Sequence, residues 1–206
     1  EDYKEFGQKC GIPIKTANYS SEDGTFNSDN EYLTIINTAR VKRMDLLEYY
    51  DSRQNILDIE RNTLFLLAEE LERFKKEKGL KDFTDLLEDF IAKSLPGSLE
   101  VLFIDEAQDL SLIQWEMVRH LWKYAKKTYI AGDDDQAIFK WAGADVDHFI
   151  ALKEEVNDIK VLDQSYRIPG GPIHELSQKI INKVQNRFKK EYKPRDEIGL
   201  LKRYSD

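Results

Sequence analysis

Two adjacent carboxylates, Asp105 and Glu106, follow directly on the apolar run Val101–Ile104 in the stretch VLFIDEAQD. Two such groups at the tip of a buried strand repel each other unless a proton or a cation intervenes. Magnesium is a hard ion that accepts one or two carboxylates and fills its remaining positions with water and phosphate oxygens. One carboxylate of the pair can then hold the metal while the other orients and deprotonates an attacking water. Taken alone, the pair also fits a solvated acidic strand end. A second stretch, GDDDQAIFKWAGAD at residues 132–145, offers Gln136 as a neutral hydrogen-bonding group and sets Phe139 and Trp141 on either side of Lys140. Aromatic faces beside a cation suit the stacking of unpaired bases, worth about 1–3 kcal/mol per base, and ordinary core packing of the rings is the alternative. Trp141 is read as a groove residue, because it sits in a loop after a strand and not at helical spacing within an apolar face. A third stretch, VLDQSYRIP at residues 161–169, carries Arg167. Its planar donor fork can reach a phosphate, although a surface arginine in a solvated pair has the same signature.

The elements that must position these groups can be read from periodicity. The pattern predicts a short helix over Asp2–Cys10, then a loop holding Pro13, Asn18, Ser20, Ser21 and Gly24. Ser28 and Glu31 have the spacing of a capping box, which opens a helix to about Tyr50. A second helix is expected from about Ile56 to Lys78, with Leu64, Leu67, Leu71 and Phe74 on one face and Gly79 at its end. A third is expected over Asp82–Lys93, closed by Pro96-Gly97. Val101–Ile104 then reads as a strand covered on both faces. A helix over Leu112–Tyr124, a strand over Thr128–Ala131, a Gly132-Asp133 turn, a helix near Asp147–Leu152 and a strand over Ile159–Leu162 follow. Strands alternating with helices in this way give an α/β fold, a parallel sheet with helices on its faces preceded by a helical segment. Ligands on such sheets bind beyond the carboxyl ends of the strands, where Asp105, Glu106, Asp133 and Asp163 fall.

Composition bounds the partners. The 206 residues are 41% hydrophobic and 34% charged, a globular balance with one or two domains. No apolar stretch approaches the ~20 residues of a membrane span, and the charged start EDYKEFGQKC does not resemble a signal peptide. Cys10 is the only cysteine, which excludes an internal disulfide and fits a reducing cytoplasm. His120, His148 and His174 are too scattered for a zinc site. The net charge of -8 argues against a protein coated in basic residues. The charge is uneven, however: from Lys179 onward nine Lys/Arg face four Asp/Glu, a balance of +5, which leaves -13 for residues 1–178. That tail reads either as ground for phosphates or as a solvated helix face. With no Met at its start, the chain is expected to be an internal piece of a longer protein.

In their order and spacing the three stretches together resemble the UvrD/Rep-type superfamily 1 DNA helicases. DEAQD resembles that family's Walker B motif, GDDDQAIFKWAGAD the motif that joins ATP to single-stranded DNA, and LDQSYR the motif at the hinge between its motor domains. Upstream, DFTDLL (Asp82–Leu87) is similar to the element preceding Walker B. The resemblance covers about Lys81–Arg167 well and the flanks loosely. It implies ATP and Mg2+ as cofactors, with Asp105 binding the metal, Glu106 activating water and Gln136 sensing the γ-phosphate. It implies that Arg167 stabilises charge on the transferring phosphoryl group, that Tyr166 stacks on the adenine, and that Phe139 and Trp141 stack on bases of the tracked strand. The partners implied are single-stranded DNA and DNA junctions, with movement 3′ to 5′. Residues 1–79 would be a helical 1B-like subdomain, 80–165 the later part of a first RecA-like motor domain, and 166–206 the opening of a second.

Three departures qualify the resemblance. Ala142 stands where the family often has arginine, and Ser165 where it usually has asparagine. More consequentially, a phosphate loop needs G-x-x-x-x-G-K-[ST], and none of the ten glycines is followed by lysine. The expected reading is therefore a piece of an ATP-driven helicase or translocase that is inactive by itself. Its rivals are a non-catalytic DNA-binding or scaffold module of the same fold, and the helicase part of a helicase–nuclease.

Overall fold

The structure, a computed structural model, describes residues 1–20, 26–53 and 58–202, with Trp141 and Ala142 described by their backbone alone. Ser21, Gly24 and Ile56, which the sequence reading placed in a loop and at a helix start, lie outside the described residues. The chain packs as two compact units, one of Glu1–Gly132 with Ile138–Asp145, the other of Asp133–Ala137 with Val146–Asp206.

The first unit begins with α1 (Asp2–Cys10), which ends where Gly11 turns left-handed at φ 69°. The chain between α1 and the next helix is not all loop, because Ala17–Tyr19 (β1) and Phe26–Ser28 (β2) pair antiparallel. The helix expected over 31–50 is two helices, α2 (Glu31–Val41) and α3 (Leu46–Asp51). Arg43 takes a left-handed φ of 52° between them, and the Asp45 carboxylate accepts the Leu47 amide at 2.9 Å to start the second. The cap of α2 is Asn30, not Ser28: the Asn30 side chain accepts the Leu33 amide at 3.2 Å. Ser28 is spent one step earlier, as the last residue of β2, accepting the Asn30 amide at 3.0 Å.

The long helix α4 runs Arg61–Lys78, capped by the Glu60 side chain and ended by Gly79 at φ 64°. Its start lies later than the apolar period suggests, because the cap decides the first turn. The helix α5 (Phe83–Lys93) opens with the reciprocal bonds of Asp82 and Asp85 at 2.8 Å each. The apolar stripes of α1, α2 and α4 meet in one core of Phe6, Leu33, Ile36, Leu64, Leu67 and Phe74.

Next come β3 (Leu99–Ile104), α6 (Leu112–Trp122) and β4 (Ala125–Ile130), with β3 and β4 paired parallel from Leu99↔Ala125 to Ile104↔Ile130. The expectation that β3 is covered on both faces is corrected here. Helix α6 buries Ile113, Trp115 and Val118, and the strand residues Leu102, Ile104, Thr128 and Ile130 are partly covered. On the other face Phe103 is 73% exposed and stacks on Tyr129, ring centroids 5.2 Å apart. A continuous apolar run was therefore no guide to two-sided burial.

In the second unit, α7 (Val146–Ala151) is followed by β5 (Gln164–Gly170), α8 (Pro172–Ile181) and β6 (Lys193–Ile198). The strand expected at Ile159–Leu162 is absent; Leu162 is 77% exposed there. The strand lies just beyond, because the partner β6 pairs parallel with Gln164 through Gly170. Arg167 thus sits inside a strand and not after one, and Pro169-Gly170 continues it. The fold is mixed α/β with small parallel sheets and helices. No helix of the described residues is long and apolar enough to cross a membrane.

Candidate functional site

In the first unit the carboxylates stand where β3 ends. Asp105 and Glu106 are both exposed, and one Asp105 oxygen accepts the Glu106 amide at 3.0 Å. Glu106 has a left-handed backbone, φ 49° and ψ 41°, a conformation that is uncommon and costly for a residue with a Cβ. Three contacts hold it there. Gln108, 1% exposed, donates from Nε2 to a Glu106 oxygen at 2.9 Å and to Asp109 at 3.2 Å. The amide of the buried Ala107 donates to the Ala131 carbonyl at 3.0 Å, which ties the turn to the end of β4.

The same unit holds the aromatic turn. Phe139–Ala142 form one turn of 3-10 helix that Gly143 ends at φ 109°. Phe139 is partly buried, Lys140 is exposed, and the side chain of Trp141 lies outside the described residues. The Asp145 amide donates to the Leu110 carbonyl at 2.9 Å, and Ser111 and Ala144 form an antiparallel bridge. The carboxylate turn and the aromatic turn are thereby joined by main-chain hydrogen bonds with only Ala107–Leu110 between them.

The remaining residues of interest fall in the second unit. Gln136 is exposed and donates from Nε2 to Asp133 Oδ2 at 2.7 Å. Asp133 also accepts from the Tyr192 hydroxyl at 3.0 Å and faces Lys190 at 2.8 Å. Burial pushes the Asp133 carboxyl up, but the bonds from Gln136, Lys190 and Tyr192 outweigh it and hold the group below its ordinary range. Tyr166 is 86% exposed on β5. Arg167, next to it and also exposed, has no ion-pair partner among the described residues, and its amide donates to Ser165 Oγ at 3.3 Å. The stretch at 132–145 is accordingly shared between the units, Asp133–Ala137 packing with one and Ile138–Asp145 with the other.

Sequence reasoning missed Gln108, and it missed what the basic tail does. Arg187 pairs with Asp135 at 2.6 Å and Lys190 faces Asp133 and Asp134 as well as Asp135; Lys193 pairs with Asp163 at 2.6 Å. These three of the tail's nine cations are therefore matched within the unit. The signal was present as two opposite charge runs, DDD and RFKK, but their pairing across some fifty residues is a property of the fold.

As for a metal, no three His, Cys, Asp or Glu side chains converge as ligands among the described residues. An exposed carboxylate with one oxygen engaged by its neighbour's amide does suit magnesium, which needs only one or two protein carboxylates when water and phosphate complete its shell.

Residues 8–157 match the family model of the UvrD/REP helicase N-terminal domain. Among curated proteins the chain is similar to the ATP-dependent DNA helicase Rep of Buchnera aphidicola (subsp. Schizaphis graminum), 27% identical over 126 residues, covering 56% of this chain and 19% of that protein. It is 31% identical to Rep of Escherichia coli over 106 residues, 46% of this chain and 16% of that protein. It is 32% identical to the ATP-dependent DNA helicase PcrA of Staphylococcus epidermidis over 97 residues, 42% of this chain and 13% of that protein. The matched stretch thus spans less than a fifth of each relative's length.

Proposed function

This chain belongs to the family of the UvrD/REP helicase N-terminal domain, and from that premise we propose that it forms part of an ATP-driven DNA helicase or translocase moving on single-stranded DNA. The observation that carries the proposal is the hydrogen-bonded frame from Glu106 to Asp145. It links a carboxylate pair suited to nucleotide hydrolysis with an aromatic turn suited to base stacking, through Asp145 to Leu110 and Ser111 to Ala144. A motor needs such a link, because a change at the nucleotide must be felt at the strand.

In this reading Glu106 takes the proton of the attacking water and Asp105 holds Mg2+. The ion would supply neutralisation of phosphate charge. Gln136 senses the γ-phosphate, Arg167 meets charge on the transferring phosphoryl group, and Tyr166 offers an exposed ring to the adenine. Phe139 and Trp141 stack on bases. Residues 1–79 serve as the 1B-like subdomain, 80–165 as the later part of a RecA-like motor domain and 166–206 as the opening of the next, with travel 3′ to 5′. DNA junctions are the substrates and the cytoplasm the site of action.

The test is made in the full-length protein that carries this chain. DNA-stimulated phosphate release should fall severely in Glu106→Gln while nucleotide affinity persists, since the base is removed and the phosphate contacts are not. Near-normal turnover in that variant removes Glu106 from the role of base. A full-length protein that binds DNA without turning over ATP is the scaffold module instead.

A further inference from the structure

The end of α2 treats its cations in two ways. Arg40 is held by Asp82 at 2.8 Å and Glu88 at 3.0 Å, and Arg43 by Glu116 at 2.9 Å. Lys42 lies between them in sequence, yet it has no ion-pair partner among the described residues; nor do Arg53 and Lys140. The Lys42 ammonium and the Arg53 guanidinium flank one buried ring, 5.9 and 5.8 Å from the centroid of Tyr49. The aromatic turn abuts the same helix end, for a Cβ on Gly143 would lie 2.8 Å from Val41 Cγ2. Burial lowers the pKa of Lys42, and the like charges of Arg53 and Lys140 lower it further; Asp145 opposes them with the smallest effect.

A partly buried ammonium pressed by two more cations is unfavourable in the free protein, and a polyanion would relieve it. The chain as a whole is acidic, at -8, so this cluster is a local exception. We propose that Lys42, Arg53 and Lys140 form a phosphate track that holds the backbone of single-stranded DNA beside the bases stacked on Phe139. The inference rests on the reading of that turn as a DNA contact, and it assigns two residues from the helical segment to the same strand. A phosphate-bearing polymer fits better than a free nucleotide phosphate, because the cations are spread along a helix end and a turn. Lys42 and Arg53 flank the buried Tyr49 ring, and among the described residues no glycine-rich cradle of amides surrounds the cations.

The test is binding of a short oligothymidylate by fluorescence anisotropy across a salt series. Each phosphate contact to a single strand contributes about 0.7 to the slope of log affinity against log salt, and about fivefold in affinity at ~0.1 M salt. Lys42→Gln with Arg53→Gln should flatten the slope by about 1.4 and weaken binding about 25-fold. Arg53→Gln alone, at an exposed position where no repacking is needed, should give half the change in slope. Lys42→Arg and the carboxylate-paired Arg43→Gln should leave the slope as it was. An unchanged slope in the double variant overturns the track. If Phe139→Ala loses binding while the double variant keeps its slope, the turn stands and the track falls. If Phe139→Ala binds normally while the double variant loses its slope, the track stands without the stacking. No binding by the unaltered chain overturns both.

Discussion

Replacing Lys190 by methionine tests how the segment carrying Gln136 is held. The Lys190 ammonium faces Asp133 at 2.8 Å, Asp134, and Asp135 at 3.4 Å. The side chains of Lys190, Asp134 and Asp135 are 7%, 4% and 9% exposed, so solvent screens these pairs little. Methionine keeps most of the apolar stem and deletes the charge. Removing one partner of a buried pair costs about 3–5 kcal/mol, because the other charge is left uncompensated. The lower end applies here: Arg187 still meets Asp135 at 2.6 Å, and the Phe188 amide still donates to Asp134 at 2.6 Å. A loss of about 3 kcal/mol with a urea slope of about 2 kcal/mol per molar moves the midpoint down by about 1.5 M. The control is Lys126→Met, whose pair with Glu100 is 62% and 78% exposed; an exposed pair contributes less than about 1 kcal/mol. Both variants are unfolded in urea and followed by circular dichroism. Equal midpoint shifts in the two would refute the reasoning, because the Asp133–Asp135 turn would then not depend on Lys190.

Four further outcomes bear on the proposed site and on the partly buried carboxylates. The 206-residue chain by itself should release phosphate from ATP no faster than the protein-free background with magnesium and single-stranded DNA present; DNA-stimulated release that Glu106→Gln abolishes would contradict this. In the full-length protein that carries this chain, Trp141→Ala should leave the urea midpoint nearly unchanged and weaken single-strand binding about tenfold, as for a stacking ring and not a core one; a large midpoint fall with unchanged affinity would return Trp141 to the core. Stability should drop as pH falls below about 4, because Asp133 and Asp85 are both held below the ordinary range in spite of burial, Asp85 by the Asp82 amide and Lys75. Depressed carboxyls stabilise the fold above their unfolded pKa and lose that contribution as pH falls through the folded one. Asp133→Asn should flatten the acid limb of the urea midpoint plotted against pH, and an unaltered limb would count against it.

Helices were legible in the sequence where a local signal decides them. Gly79 and the spacing of Leu64, Leu67, Leu71 and Phe74 each act within a turn or two, and α4 ends as those signals require. Helix α5 begins at its expected place, on a reciprocal Asp82–Asp85 cap that the sequence reading does not single out. The break between α2 and α3 was missed although its cap, Asp45, is equally local, because the apolar period runs on through it. Strands fared worse, since a strand exists only where a partner pairs with it. Ile159–Leu162 is apolar enough but has no partner, while Gln164–Gly170, polar and containing proline, pairs with β6. The residues with candidate chemistry could be named from type and spacing. Lys190 and Tyr192, which support Asp133, could not, because they act across more than fifty residues. Gln108, only two residues from Glu106, gives no sign of its role until Glu106 takes its left-handed turn.

The backbone of Glu106 gives the carboxylate turn a meaning that its composition lacks. A solvated acidic strand end needs no unusual conformation, yet this glutamate is held at φ 49°, at a cost on the order of 1–2 kcal/mol. Relaxing that residue toward an extended backbone would disturb the Glu106 bond to Gln108 and the Ala107 bond to the end of β4. The fold therefore spends stability to keep Glu106 in this turn, its carboxylate tied to Gln108, while Asp105 and Glu106 both stay exposed. Two solvated charges have no use for such a constraint. On the proposed function it has one, because there the two carboxylates do different work at one phosphate. The same turn is joined through Leu110 and Ser111 to the segment that carries Phe139, so a shift of Glu106 would reach the aromatic turn through hydrogen-bonded main chain and not through flexible side chains.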